Sequence, residues 1–314
     1  MKKSSFHSCN VLDLRGDAAR LWHFGVSGNQ LRLGAESTVA SGALVPPKIA
    51  GRSLLTRRLN IAWLPPEQVF LRVVQLPVVE LGELISMIEF QLERLSPFPV
   101  AQIVWSIEIL PDPRHGQQTV IVVIAAREAV EKHLGRLEEI KYLADHLEVP
   151  HLHQLLTVPP TENGVWIFAT PVTDRTMTLV AWWAGGVLQQ VQFNQLPADA
   201  PSASALVAQL NDTAWAGELE GWFEFPVRVH LVADPEVAAR WEASLREWSG
   251  VDVAVSSPPP PQTLAELAAS RAATGQSRAN LLPVEFAARY RQQFVDKLWM
   301  SGLGAVVAAY VLGV

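Results

Sequence analysis

The stretch LPVVELGELISMIEFQLERLSPFPVAQIVWSIEIL, Leu76 to Leu110, carries the reading of the fold. An extended segment ends at Leu76–Pro77, and Leu81, Leu84, Ile85, Ile88, Leu92 and Leu95 then recur at spacings of three and four. Those spacings predict one apolar helical stripe, with Glu83, Glu89, Glu93 and Arg94 on the other faces. Pro97 and Pro99 stop the helix, because proline lacks the amide donor and crowds the preceding turn. The segment QIVWSIEIL returns to strand character. The unit is strand, acidic amphipathic helix, strand.

Upstream, NVLDLRGDAARLWHFGVSGNQLRLGA reads as a meander of short strands broken at Arg15–Asp17 and Ser27–Asn29, continued by RLNIAWL and VFLRVVQLP. Downstream, QQTVIVVIAA is a strand and REAVEKHLGRLEEIKYLADHL a second helix. From Gly164 the pattern begins again. VWIFATP, TMTLVAWW and VLQQVQF are three strands, followed by SASALVAQLNDTAWAGEL (helix), VRVHLVA (strand), PEVAARWEASLREW (helix) and VDVAV (strand). TLAELAASRAATG closes the series, with Thr263 and Glu266 at capping-box spacing and Gly275 as a C-terminal cap. Two meanders, each followed by helix–strand alternation, predict an α/β chain with two related lobes.

The 314 residues are 49% hydrophobic and 18% charged, which suits a large packed core. A net charge of −6 argues against a broad electrostatic footprint for nucleic acid, and none is expected as a partner. Cys9 is the only cysteine, which excludes an internal disulfide framework. MKKSSFHSCNVLDLRGD has two lysines and no apolar h-region before Asp13, so it is not a signal peptide and the body is expected in the cytoplasm.

The strand ending in Leu-Pro, the acidic helix, SPFP and the following strand resemble the PilM and GspL families, cytoplasmic platform proteins of type IV pilus and type II secretion machines. ANLLPVEFAARYRQQFVDKLW, Ala279 to Trp299, resembles the Asn-Leu-Leu-Pro start that precedes the membrane helix in PilN-type partners. The resemblance implies an α/β, actin-like (RNase H-like, ASKHA) two-lobed fold followed by a C-terminal transmembrane helix. The expected organisation is a first lobe over 1–160 with the helix–strand module 76–126 inserted, and a second lobe over 161–278. A membrane-proximal segment over 279–297 and a membrane helix over 298–314 follow. The implied role is a non-catalytic inner-membrane scaffold that couples a cytoplasmic assembly ATPase to a single-span platform partner.

Actin-like ATPases cradle phosphate with Asp-x-Gly turns, where glycine lets the backbone approach and aspartate orients a hydrated metal. Here LDLRGDAAR offers Asp13, but Arg15 stands where glycine is needed and Gly16 comes one residue late. The second such place, VWIFATPVTDRTMTLVAW, has Pro171 near the turn and Asp174 displaced. The helix-preceding LVADPEVAAR has Ala233–Asp234–Pro235 where a Gly-Gly contacts adenosine. Three degraded loops favour a pseudo-ATPase, without cofactor or metal. The alternative is an actin-like ATPase or kinase relative with atypical phosphate loops.

His146, His151 and His153 cluster in ADHLEVPHLHQLL, where Asp145 or Glu148 could add oxygen to a metal site, but Pro150 interrupts any shared helical face and no second ligand cluster supports it, so they read as incidental histidines on a solvated turn. Glu138 and Glu139 read as a wet helix face, and Trp182–Trp183 as core with one ring available as an interface anchor. LWMSGLGAVVAAYVLGV, Leu298 to Val314, has no charge and no proline. Arg289, Arg291 and Lys297 flank it on the side expected in the cytoplasm. Ser301, Ala305, Ala309 and Gly313 repeat every four residues, a small-residue stripe for pairing with another membrane helix or a second copy in a homodimer.

Overall fold

The computed structural model describes residues 6–313 other than 16–17, 29, 41–42, 52, 54–55, 111–113, 115, 158–161, 173–174 and 198–201, with side chains described except at Arg15 and 305–313. The first meander forms as antiparallel β1 (Ser8–Arg15), β2 (Ala18–Ser27) and β3 (Gln30–Val39). After a short helix α1 (Pro47–Ala50), β4 (Arg58–Trp63) lies parallel to β1. The inserted unit follows: β5 (Val69–Pro77), α2 (Leu81–Glu89), α3 (Leu92–Leu95), β6 (Ile103–Leu110) and β7 (Gln117–Ala126). Its strands make a separate antiparallel sheet in the order β5-β7-β6. Helix α4 (Arg127–Glu139) leads back to β8 (His146–Glu148), parallel to β4, and then to α5 (Pro150–Leu155).

The helix predicted to run on to Pro97 breaks at Phe90–Gln91. Phe90 N donates to Ser86 O and Gln91 N to Ile88 O, which tightens the turn. Leu84, Ile88, Leu92 and Leu95 thereby all stay on the sheet with Val74, Ile107, Val122 and Ile124. Phe90 points outward at 91% exposure.

The second half repeats the first. β9 (Gly164–Val172), β10 (Arg175–Ala184) and β11 (Val187–Pro197) form an antiparallel meander. Helix α6 (Ser202–Glu220) leads to β12 (Val229–Val232), parallel to β9, and α7 (Pro235–Ser249) to β13 (Ala254–Ser256), parallel to β12. The two sheets run β3-β2-β1-β4-β8 and β11-β10-β9-β12-β13. Numbered within each lobe, both read 3-2-1-4-5, three strands antiparallel and two parallel to the first.

Helix α8 (Pro261–Ala273) starts at Pro260 with no side-chain cap, so Thr263 lies inside the helix and the expected capping box does not form. At its far end Gly275 takes φ +70°, and Gln276 N donates back to Arg271 O at 2.8 Å. Leu264, Ala265, Ala269 and Ala272 pack α8 onto the first lobe's sheet beside Cys9, Val11 and Ile61. A single apolar core also joins the lobes, bringing Leu12 and Leu21 together with Trp166, Phe168, Leu179 and Trp183.

Residues 279–283 lead into α9 (Val284–Gly313), one continuous helix. The expected membrane span is corrected here: among the described residues no helix is long and apolar enough to cross a membrane.

Candidate functional site

Two places were expected to carry function, the cleft between the lobes and the C-terminal segment. At the cleft, Asp13 lies near the end of β1, half-buried and paired across the sheet with Arg20 and Trp63. Arg15 closes the strand, its side chain outside the described residues, as is all of Gly16. Trp63 packs on Trp22 with ring centroids 5.3 Å apart. It also lines a cavity of about 220 Å³ with Thr170, Pro171, Asp234, Pro258 and Pro259. Asp234 is the only charged group among the described residues of that lining. Small-molecule sites usually offer about 300–1,000 Å³, and a triphosphate needs cations or converging amides. The candidate phosphate-loop groups, the Arg15 side chain, Gly16 and Asp174, lie outside the described residues. Asp234 serves as the N-cap residue of α7, whose first position is Pro235.

The C-terminal segment is a built site. Leu281 N donates to Leu147 O at 2.8 Å, so residues 279–282 lie along β8. Asn280 fastens the register, its Oδ1 accepting from Leu147 N at 2.9 Å and from Leu282 N at 3.0 Å. Ala279 and Leu281 enter the shared core. Pro283 is buried, and its carbonyl accepts from Phe286 N and Ala287 N as α9 begins.

Beneath this segment sit two buried carboxylates. Glu148, on β8, receives His146 Nδ1 at 3.1 Å, His153 Nε2 at 3.0 Å and Ser277 Oγ at 2.7 Å. Burial pushes its pKa up, but the hydrogen bonds and charges of His146 and His153 together outweigh burial and bring it down to about 2. Glu108, on β6, pairs with Arg271 Nη2 of α8 at 2.6 Å. Burial raises its pKa, and Arg271 and the Arg278 amide only partly offset that. Glu108 binds Arg271 before Gly275 and Glu148 binds Ser277 after it, so together they hold the turn between α8 and the extended segment.

The histidines are therefore not on a solvated turn. His151 and His153 are buried, and His151 meets Phe193 edge-on at 5.1 Å. Among the described residues no cluster of three His, Cys, Asp or Glu is placed to hold a metal ion. Glu138 is likewise not simply wet: it accepts from Tyr290 Oη at 2.8 Å and pairs with Arg289. The Arg289 guanidinium lies 4.3 Å from the Phe286 ring centroid, and Arg127 pairs with Glu285 at 2.5 Å. Arg289 thus serves the docking of α9 to the first lobe, whereas Arg291 and Lys297 are exposed.

Past Tyr290 the helix leaves the body. Leu298, Trp299, Met300 and Leu303 are all exposed. Ser301 Oγ donates to Lys297 O at 2.8 Å, within its own helix. Ala305, Ala309 and Gly313 continue the same helix, their side chains outside the described residues. Trp182 and Trp183 are both buried, at 1% and 6% exposure, because the strand's two faces are each covered; neither is an outward anchor. Sequence reasoning missed Glu108, Arg271 and Ser277, and weighed Glu148 only as a metal ligand beside the histidines. Arg271 lies 163 positions from Glu108 and Ser277 lies 129 from Glu148, so no local pattern marks those pairs.

Two sheets of order 3-2-1-4-5 facing each other across a cleft define the duplicated actin-like fold. No family model matches the chain, and no curated protein matches it. Among solved structures, it superposes on the PilM-PilN type IV pilus biogenesis complex with TM-score 0.54 and 18% identity, covering 85% of this chain and 96% of that one. The cytoplasmic domain of EpsL, an inner membrane component of the type II secretion system of Vibrio cholerae, matches with TM-score 0.45 and 14% identity over 89% of this chain and 99% of that one. A Bacteroides thetaiotaomicron protein with an actin-like ATPase fold gives TM-score 0.45 and 11% identity over 84% and 96%. The chain has a PilM-like, actin-like fold.

Proposed function

We propose that this chain is a platform component of a type IV pilus or type II secretion machine, non-catalytic and placed at the bacterial inner membrane with its body in the cytoplasm. The supporting observation is the way the body holds its own C-terminal segment. Residues 279–283 are bound along β8 and Tyr290 is anchored on Glu138, while the following turns carry exposed Trp299, Met300 and Leu303 outward. A helix that is apolar all round seeks a bilayer or another apolar helix. The rigid attachment lets force on the body reach that helix, which suits a link between a cytoplasmic assembly ATPase and membrane or periplasmic partners. Ser301, Ala305, Ala309 and Gly313 supply the close-approach stripe for a single-span partner or a second copy.

In-cell photo-crosslinking tests this. A crosslinker at Trp299 or Leu303 is expected to capture a single-span membrane protein or lipid, and crosslinkers spread over the body a secretion or pilus ATPase. Capture of neither removes the reading.

A further inference from the structure

We propose that the outer face of α6 in the second lobe docks a basic amphipathic segment of a partner protein. The inward face of α6 carries Leu206, Leu210, Ala214 and Gly217 into the lobe's core or against it. On the opposite side Asn211, Trp215 and Leu219 follow one another at spacings of four and form one stripe. Trp215 is 68% exposed and Leu219 71%, a large apolar pair left in water. Isolated surface apolar groups need no explanation, but this pair shares its stripe with Asn211, which is tied to an aromatic cluster of Trp248, Phe225 and Phe223. A Cβ on Gly217 would come 2.8 Å from the Trp222 ring, so that ring is seated directly on the last turns of the helix. Phe225, 46% exposed, meets Phe223 at 5.0 Å and Trp248 at 5.6 Å. Trp248 is itself tied to the stripe by its indole N–H, which donates to Asn211 Oδ1 at 2.7 Å. The surface is formed in advance and costs little ordering to bind.

Charge selects the occupant. Helix α6 carries Asp212, Glu218 and Glu220 and no lysine or arginine, and Glu224 adds a further carboxylate at the open cleft where Phe225 lies. The neighbouring cations are committed: Arg228 pairs with Glu162 at 3.3 Å, and Arg246 with Glu242 and Asp252. An apolar stripe with an acidic rim complements a segment whose leucine-type anchors are bordered by lysine or arginine, which also gain from the Trp215 ring face. The same rim repels anionic lipid and nucleic acid. This surface stands independently of the platform reading, because it involves neither β8 nor α9.

The test uses the full chain and a fluorescein-labelled helical peptide of about 18 residues, built of leucine and lysine at amphipathic spacing, with a leucine–glutamate peptide as counterpart. The lysine peptide is expected to bind, more weakly as salt rises. Trp215→Ala combined with Leu219→Ser should weaken it about tenfold or more, since central tryptophans dominate such contacts. Asp212→Lys with Glu218→Lys should weaken it while admitting the glutamate peptide. Both pairs lie on the surface, and an unchanged melting temperature checks that the lobe is intact. Equal binding of the two peptides by the parent chain, or unchanged affinity in the Trp215/Leu219 variant, overturns the proposal. So does self-association, or binding to phosphatidylglycerol vesicles, that the same variant abolishes.

Discussion

The two lobes share a strand order and differ in what fills them. The first buries polar groups in a fixed arrangement: Asn10 donates to Asn60 Oδ1 at 2.8 Å, His23 meets Asn10 Oδ1 at 2.6 Å, and Glu148 and Glu108 sit beneath the C-terminal segment. The second is held by aromatic rings, with Trp182 within 5.1–6.2 Å of Phe223, Trp222 and Trp248 and the fully buried Trp241 in the same core. Apolar packing tolerates small slips, whereas a buried carboxylate accepts only the geometry that satisfies it. The lobe that must hold one particular segment in one register is the lobe with the buried charges.

The sharpest break in that comparison is Glu148→Ala, which leaves His146, His153 and Ser277 without their common acceptor. A loss of about 3–5 kcal/mol is expected, read by urea unfolding, together with new protease cleavage around Gln276–Arg278. Trp182→Ala probes the other lobe. It should cost about 3–5 kcal/mol as a cavity yet leave Gln276–Arg278 protected. Equal cleavage in both variants would erase the distinction between the lobes.

Acid sharpens it further. The folded Glu148 carboxyl titrates near 2 against an ordinary 4.5, so its contribution is complete above about pH 5 and is lost as pH falls from about 4.5 towards 2. Glu108, raised by burial, contributes in the opposite sense. Urea midpoints measured across that window should fall by the equivalent of about 3 kcal/mol in the parent chain, and markedly less in Glu148→Gln. A smaller change is expected from Asn280→Ala. It removes the side-chain acceptor for two amides and should cost about 1–3 kcal/mol, with hydrogen exchange at Leu147 and Leu282 rising first. The smallest effect concerns the cleft between the lobes. Millimolar Mg-ATP should leave the melting temperature unchanged, because a ligand stabilises only by binding the native state. A shift abolished by Asp13→Ala would restore a working phosphate loop and the ATPase reading.

Much of the duplicated fold was legible because it rests on period. The continuous apolar runs of β9 and β10, the spacing of Leu84, Ile88, Leu92 and Leu95 by fours and a three, and the Gly275 cap are local signals that tertiary structure had no reason to override. The break at Phe90–Gln91 was not legible, since it answers to the packing of Leu84, Ile88, Leu92 and Leu95 on the sheet beneath. The cleft was partly legible. Missing glycines at Arg15 and Pro171 argue against phosphate binding from the sequence alone, while the proline wall made by Pro258 and Pro259 needed the fold to bring it there.

The sequence by itself determined that this is a two-lobed α/β chain, acidic, with one cysteine and an apolar end beyond Lys297. Only the tertiary structure decided which groups act together. Glu148 gathers His146, His153 and Ser277, Glu108 finds Arg271, and Glu138 finds Tyr290 and Arg289. It also decided that Trp182 and Trp183 face inward while Trp215 and Leu219 face water. The physical reason is one of range. Periodicity is a property of neighbours along the chain, whereas a buried charge is satisfied by whatever the fold carries to it across a hundred residues or more.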